Sequence, residues 1–185
     1  MAQPVKIYLI RHGRASAGFA EAYDPGLDEV GRAQAEAIAE ELAPLGPLPL
    51  VTSPLKRARE TAAASEARWG MSARVEPCVA EIPTPTLDLQ ARAAWLRQAM
   101  RGRWSELPPA YPAWRDEVVA CLIALGTTTV VTTHFVAINA AVGAATGDDR
   151  LVCCEPDNCS CTVLELVDGT LRVVTLGRQR ATQIL

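Results

Sequence analysis

Apolar and polar positions along this chain alternate between two periods, and the switches divide it into strands and helices. Val5–Ile10 is rich in aliphatic and β-branched residues and bounded by Pro4 and Gly13, the pattern of a buried strand. A helix is predicted from about Asp28 to Ala43, with Asp28 as N-cap and Val30, Ala33, Ala37, Ile38 and Leu42 as its apolar stripe. Pro44, Gly46, Pro47 and Pro49 end it. Leu48–Thr52 reads as a second strand. Ser53 and Pro54 then have the residue types of an N-cap and a first helical position. Arg74–Val79 suits a short third strand, and 88–103 a helix with Leu89, Ala93, Leu96 and Met100 on one face. Pro108, Pro109 and Pro112 break the chain before a helix over about 113–125, with Trp114, Val118, Cys121, Leu122 and Leu125 facing inward. Thr127–Thr133 is a β-branched strand ending at His134, and a helix follows to about Thr146, closed by Gly147. Asp168-Gly169 between the apolar runs 159–167 and 171–176 predicts a hairpin. Strands alternating with helices define an α/β domain of one unit, residues 1–185.

Composition narrows the function classes. Hydrophobic residues are 49% and charged residues 21% of the chain, as in ordinary globular proteins. The net charge of −3 argues against nucleic acid or an anionic membrane as partner. No apolar run approaches the ~18 residues that span a bilayer, and no secretory pattern opens the chain, so the expected location is cytoplasmic. Of six cysteines, Cys78 and Cys121 stand alone and read as small buried hydrophobes. Cys153, Cys154, Cys159 and Cys161 cluster, but without the C-x2-C spacing of a zinc knuckle, so no metal is expected there. Trp95, Trp104 and Trp114 are read as core residues rather than a substrate wall.

The candidate chemistry lies at strand ends. Ligands of open α/β sheets bind outside the carboxyl ends of the strands. The first strand ends in Arg11-His12-Gly13 and the β-branched strand in His134, so both histidines of the chain occupy such ends. Arg57 falls in the first turn of a helix, where free backbone N–H groups favour anions and a guanidinium can grip phosphate with two bonds. Taken singly, each has a plain alternative: a structural histidine, or a solvated arginine such as Lys56 and Arg59 suggest.

Together these segments resemble the histidine phosphatase superfamily, also called phosphoglycerate mutase-like. Arg11-His12-Gly13 after a first strand is similar to its signature. Leu27-x3-Gly31-x2-Gln34-Ala35 is similar to its L-T-x-x-G-x-x-Q-A, with Asp28 for Thr. Residues 53–62 resemble its S-P-L-x-R-A-x-Q-T-A, with Glu60 for Gln, and 130–134 its second histidine motif. Glu81, in Val79-Ala80-Glu81, matches the position of the proton donor in many members; its plain alternative is a surface loop glutamate. Two departures bear on the substrate. Phe135 replaces a common Gly and narrows the room beside the site, and Arg14 stands where Glu or Gln is usual.

The resemblance implies a three-layer αβα sandwich, with a mostly parallel central sheet, helices on both faces and a C-terminal β-hairpin. It implies a metal-independent histidine acid phosphatase-type phosphohydrolase without cofactor. His12 would be the nucleophile that forms a phosphohistidine. Arg11, Arg57 and His134 would bind the phosphoryl oxygens, His134 also counting among the catalytic groups, and Glu81 would move the proton. Partners would be a small phosphorylated substrate or a phosphoprotein; sugar phosphates, nucleotide-derived phosphates and phosphohistidine proteins fit equally. Three alternatives stand beside this: a phosphoglycerate mutase-type phosphotransferase, whose chains are usually longer; a non-catalytic phospho-ligand binding module, which would lack a working proton donor; and a metal-binding cysteine module.

Overall fold

A computed structural model describes residues 4–180. Five helices flank a sheet built from β1 (Val5–Arg11), β2 (Leu50–Thr52), β3 (Arg74–Val75), β4 (Thr129–Thr133), β5 (Cys161–Val167) and β6 (Thr170–Thr175). The strand order is β3-β2-β4-β1-β5-β6. The first four run parallel, and the β5–β6 hairpin adds antiparallel to β1. Its turn places Asp168 and Gly169 at positive φ, 48° and 77°, as Asp-Gly promised.

The β1 run separates two cores by strand alternation. Ile7 and Leu9 face a core shared with α3 (Leu89–Ala99), α4 (Ala110–Ala124) and α5 (Phe135–Thr146), packed around Trp104, Val118, Leu122 and Ile138. Tyr8 and Ile10 face the opposite core, where Ala35, Ile38 and Leu42 of α1 (Glu29–Leu42) and Ala64 of α2 (Lys56–Trp69) pack. The result is the expected αβα sandwich. Trp104 stacks on Trp114 with ring centroids 5.9 Å apart and fills core, as read from the sequence.

Four local readings change. The buried face of α1 is Gly31, Ala35, Ile38, Ala39 and Leu42, while Val30 is 42% exposed. The helix is rolled because Gly31 meets the Arg11-His12-Gly13 turn: a Cβ on Gly31 would lie 2.1 Å from Arg14 O, and one on Gly13 2.5 Å from Gly31 O. Second, Ser53 does not cap α2, which begins at Lys56 after an extended Leu55. Asp24, far away in sequence, accepts from Lys56 N at 2.9 Å, leaving the Ser53 hydroxyl free for another use. Third, β3 stops at Val75 because Pro77 starts a 3-10 turn over Pro77–Val79. Fourth, Cys78 and Cys121 are not isolated hydrophobes but form a disulfide that ties this turn to α4. Their 43-residue separation hides the pairing, which only packing of the turn on α4 creates. Cys153 and Cys154 sit on buried Asn139, whose Oδ1 accepts from both backbone N–H groups at 2.8 and 2.9 Å.

The Gly31 contact can be weighed. Alanine would gain about 1 kcal/mol of helix propensity, against about 1–3 kcal/mol for overpacking. The nearest obstacle is a backbone carbonyl, which cannot swing away. Gly31→Ala is therefore expected to be net destabilising in urea unfolding; an unchanged or raised midpoint would refute the close approach.

Candidate active site

Register brings the site together. β2, β4 and β1 are neighbours and end level: Ser53 N donates to Thr132 O and His12 N to Thr133 O, both at 3.0 Å. Ser53, His134 and His12 therefore emerge side by side at the carboxyl edge. The two imidazole centroids lie 5.2 Å apart.

His12 is held in one tautomer. Its Nδ1 is 2.7 Å from Gly13 O, which can only accept, so Nδ1 carries the hydrogen. Its Nε2 then holds a lone pair, and Arg57 Nε donates to it at 3.2 Å. Burial, followed by the Arg57 and Arg11 charges, lowers the His12 pKa to about 3. The ring is a neutral base on the cavity wall, with its Nε2 lone pair held by Arg57 Nε.

Arg57 reaches this position because α2 is pinned to the turn. Thr61 Oγ1 accepts from Gly13 N at 3.0 Å and donates to Arg57 O at 2.7 Å. Arg57 is buried, with Asp24 as a looser partner at 3.8 Å. Arg11 Nη1 donates to Pro156 O at 2.9 Å, and its guanidinium carbon lies 5.2 Å from the Phe135 ring centroid. Asn158 Nδ2 donates to His12 O at 2.9 Å, fixing the turn from the far side.

His134 is fully buried, and its Nε2 lies 2.7 Å from Ser53 Oγ. That hydroxyl already accepts from Leu55 N, so its own hydrogen is free to go to Nε2. Such a bond leaves the hydrogen on Nδ1 of a neutral ring. Burial, and then the His12, Arg57 and Arg11 charges, hold the His134 pKa well below its ordinary value. Protonated His134 is thus not the resting form, contrary to the simplest electrostatic expectation. The neutral ring still offers one N–H.

Glu81 follows the 3-10 turn and lies over the start of α5. Its Oε1 accepts from Ile82 N at 3.0 Å and from Val136 N at 3.2 Å. Burial raises its pKa, against these bonds and the nearby Arg57 and Arg11.

One cavity of about 420 Å³ is lined by Arg11, His12, Arg57, Glu81 and Phe135, with Phe19 and Tyr23 on its outer wall. His134 is buried behind this wall, against His12 rather than on the cavity itself. Three buried donor nitrogens beside His12 have no protein partner, Arg11 Nε, Arg57 Nη2 and His134 Nδ1, and Arg92 Nη1 on the same cavity is a fourth. Buried donors are rarely left unpaired, and donors grouped in this way have the chemistry to receive an oxyanion. All five residues singled out from the sequence thus cluster.

Arg14 lines the rim but pairs with Asp28 at 2.5 Å, so its charge is largely spent on the α1 cap. Sequence reasoning missed Ser53 as the partner of His134, Thr61 as the bridge, Asn158 as the back support, and Arg92. Thr61 stood in a matched motif, and Pro156-Asp157-Asn158 is a turn cluster next to the cysteines. Nothing local marked Ser53 as a histidine partner, or Arg92 at all.

Comparison with known proteins agrees with this architecture. An uncharacterized Mycobacterium tuberculosis protein is 34% identical over 85 residues, 44% of this chain and 42% of that protein, so the match spans less than half of the relative's length. A mycobacterial glucosyl-3-phosphoglycerate phosphatase solved with VO3 is 25% identical, with a TM-score of 0.69 over 92% of this chain and 98% of that one. YhfR of Bacillus stearothermophilus gives a TM-score of 0.78 over 92% and 96% of the two chains; at 20% identity it speaks only to the fold. The family profile described as histidine phosphatase superfamily, branch 1, matches residues 7–179, nearly the whole chain, and the protein belongs to that superfamily.

Proposed function

We propose that this protein is a phosphatase that hydrolyses phosphate monoesters through a phosphohistidine on His12. The observation that carries the reading is a neutral His12 on the cavity wall, its Nδ1 tied to Gly13 O, beside three buried N–H donors of Arg11, Arg57 and His134 that have no protein partner. A phosphate dianion repels anionic nucleophiles, and a neutral imidazole meets no such barrier. The donors of Arg11, Arg57 and His134 would take the phosphoryl oxygens and stabilise charge as the group transfers.

In the first step Arg57 Nε gives up its hydrogen bond to Nε2, and the freed lone pair bonds to phosphorus as the ester P–O bond breaks. The leaving oxygen takes its proton from Glu81. In the second step water attacks phosphorus, the Glu81 carboxylate accepts the water proton, and the N–P bond breaks to release phosphate and free His12. Glu81 suits both halves because burial raises its pKa while Val136 N and Ile82 N support its ionised form. A buried carboxyl with raised pKa favours an enzyme over a mere phosphate binder. The mycobacterial phosphatase neighbour supports the same class.

Two outcomes are expected. His12→Ala loses glycerol phosphate turnover by at least about a thousandfold, the order seen when a nucleophile is removed. Glu81→Gln loses about a hundredfold or more on that alkyl ester. It loses far less on p-nitrophenyl phosphate, whose leaving group needs little protonation. Equal losses on both esters would refute the proton-donor role. Undiminished His12→Ala would refute the nucleophile.

The pH dependence follows from the two shifts. His12, at about 3, stays neutral as pH falls through 6, where a free histidine would protonate. Glu81 donates only while protonated, so activity falls as pH rises through its raised pKa. Once corrected for substrate ionisation, kcat/KM for glycerol phosphate should show no acid limb near 6.5 and an alkaline limb that disappears in Glu81→Gln. An acid limb at the ordinary histidine value would contradict the buried neutral state.

A further inference from the structure

Arg92 projects into the same cavity from the first turns of α3 and matches none of the motifs that identify the family. It is only 9% exposed. Its Nε donates to Thr84 Oγ1 at 3.1 Å, while its Nη1 is buried without a partner. Among the described residues it joins no ion pair. Its guanidinium carbon lies 4.7 Å from the Phe19 ring centroid and 4.5 Å from that of Tyr23. Packing on ring faces orients an arginine while leaving the in-plane N–H fork free for an anion.

A buried guanidinium without a counter-ion is costly, and an anion arriving from the cavity would relieve it. That anion is not the reacting phosphoryl group, which the His12 cluster already surrounds. Arg57 packs on the same Phe19 ring, its guanidinium carbon 5.8 Å from the centroid, so one ring contacts both guanidinium groups. Arg14, the other cation on that rim, is engaged by Asp28.

We infer that Arg92, oriented by Phe19, Tyr23 and Thr84, forms a second anion subsite that reads an acidic group on the leaving portion of the substrate. The preferred substrates are therefore short-chain phosphate monoesters that also carry a carboxylate or second phosphate. This rests on the phosphatase reading above, whose reacting phosphate it places at His12. The alternative is that Arg92 only clamps the loop carrying Phe19 and Tyr23.

Glycerol 3-phosphate and 3-phosphoglycerate are the matched probes: they share a three-carbon skeleton and differ by one carboxylate. Their Kd values are measured by calorimetry in His12→Ala, where turnover cannot interfere, and in His12→Ala combined with Arg92→Gln or Arg92→Lys. Their kcat/KM values are measured in the same Arg92 variants with His12 intact. Arg92→Gln is expected to weaken 3-phosphoglycerate about ten- to a hundredfold, and glycerol 3-phosphate by less than about threefold. Arg92→Lys, which keeps the charge without the fork, recovers part of the loss. Equal losses on both probes leave only the loop clamp and overturn the subsite, as does no loss on either. Binding with this discrimination but no wild-type turnover would keep the subsite and sink the phosphatase. Turnover without discrimination would do the reverse, and failure to bind either probe would sink both.

Discussion

Everything in this site depends on holding positive charge and hydrogen-bond donors in a buried place with too few anions to satisfy them. With its pKa lowered to about 3, His12 is harder to protonate than a free histidine in water by on the order of 5 kcal/mol. The same burial leaves Arg11 Nε, Arg57 Nη2 and His134 Nδ1 unpaired, each at a cost of about 1–3 kcal/mol. On the proposed reading, a tetrahedral oxyanion held by these side chains would offset these costs together. His12 is kept neutral first by burial and then by the same two arginines that would bind the phosphoryl group on the proposed reading.

Such an arrangement needs a frame that resists the repulsion. The sheet provides it by ending three neighbouring parallel strands at one level, so that Ser53, His134 and His12 are set by backbone bonds rather than by flexible side chains. Thr61 ties the Gly13 amide to the α2 backbone that carries Arg57. The glycine pair Gly13 and Gly31 lets α1 close over the turn. The disulfide from Cys78 to Cys121 anchors the segment leading to Glu81, and Thr133 Oγ1 donates to Val79 O at 2.6 Å within it. The inner half of the site is thus braced on every side.

The outer half is built differently. Phe19, Tyr23 and Arg92 come from a loop and a helix that hold no motif residue, and Phe135 occupies the place of a common glycine. Its ring lies under Arg11 on one side and within 5.5 Å of the Arg180 guanidinium carbon. Chemistry common to a superfamily requires the inner residues to stay fixed. On the inference drawn for Arg92, choice among substrates would fall to these outer aromatic and cationic positions.

The sequence by itself determined the elements and the inner residues. Strand and helix periods are local, and Arg11, His12, Arg57 and His134 sit at element ends that the apolar pattern marks; the hairpin turn is equally local, since Asp-Gly specifies its own backbone. What tertiary structure alone decided are relations between distant residues. Asp24 caps α2, which frees Ser53 for His134, although Ser53 has every local mark of a cap. Gly31 rolls α1 away from the stripe that includes Val30, because a backbone contact outweighs side-chain period. Cys78 finds Cys121, and Arg92 finds Phe19 and Tyr23, through packing that no spacing encodes. The protonation states were equally invisible: a histidine in a sequence has its ordinary pKa, and only burial beside two arginines keeps His12 neutral.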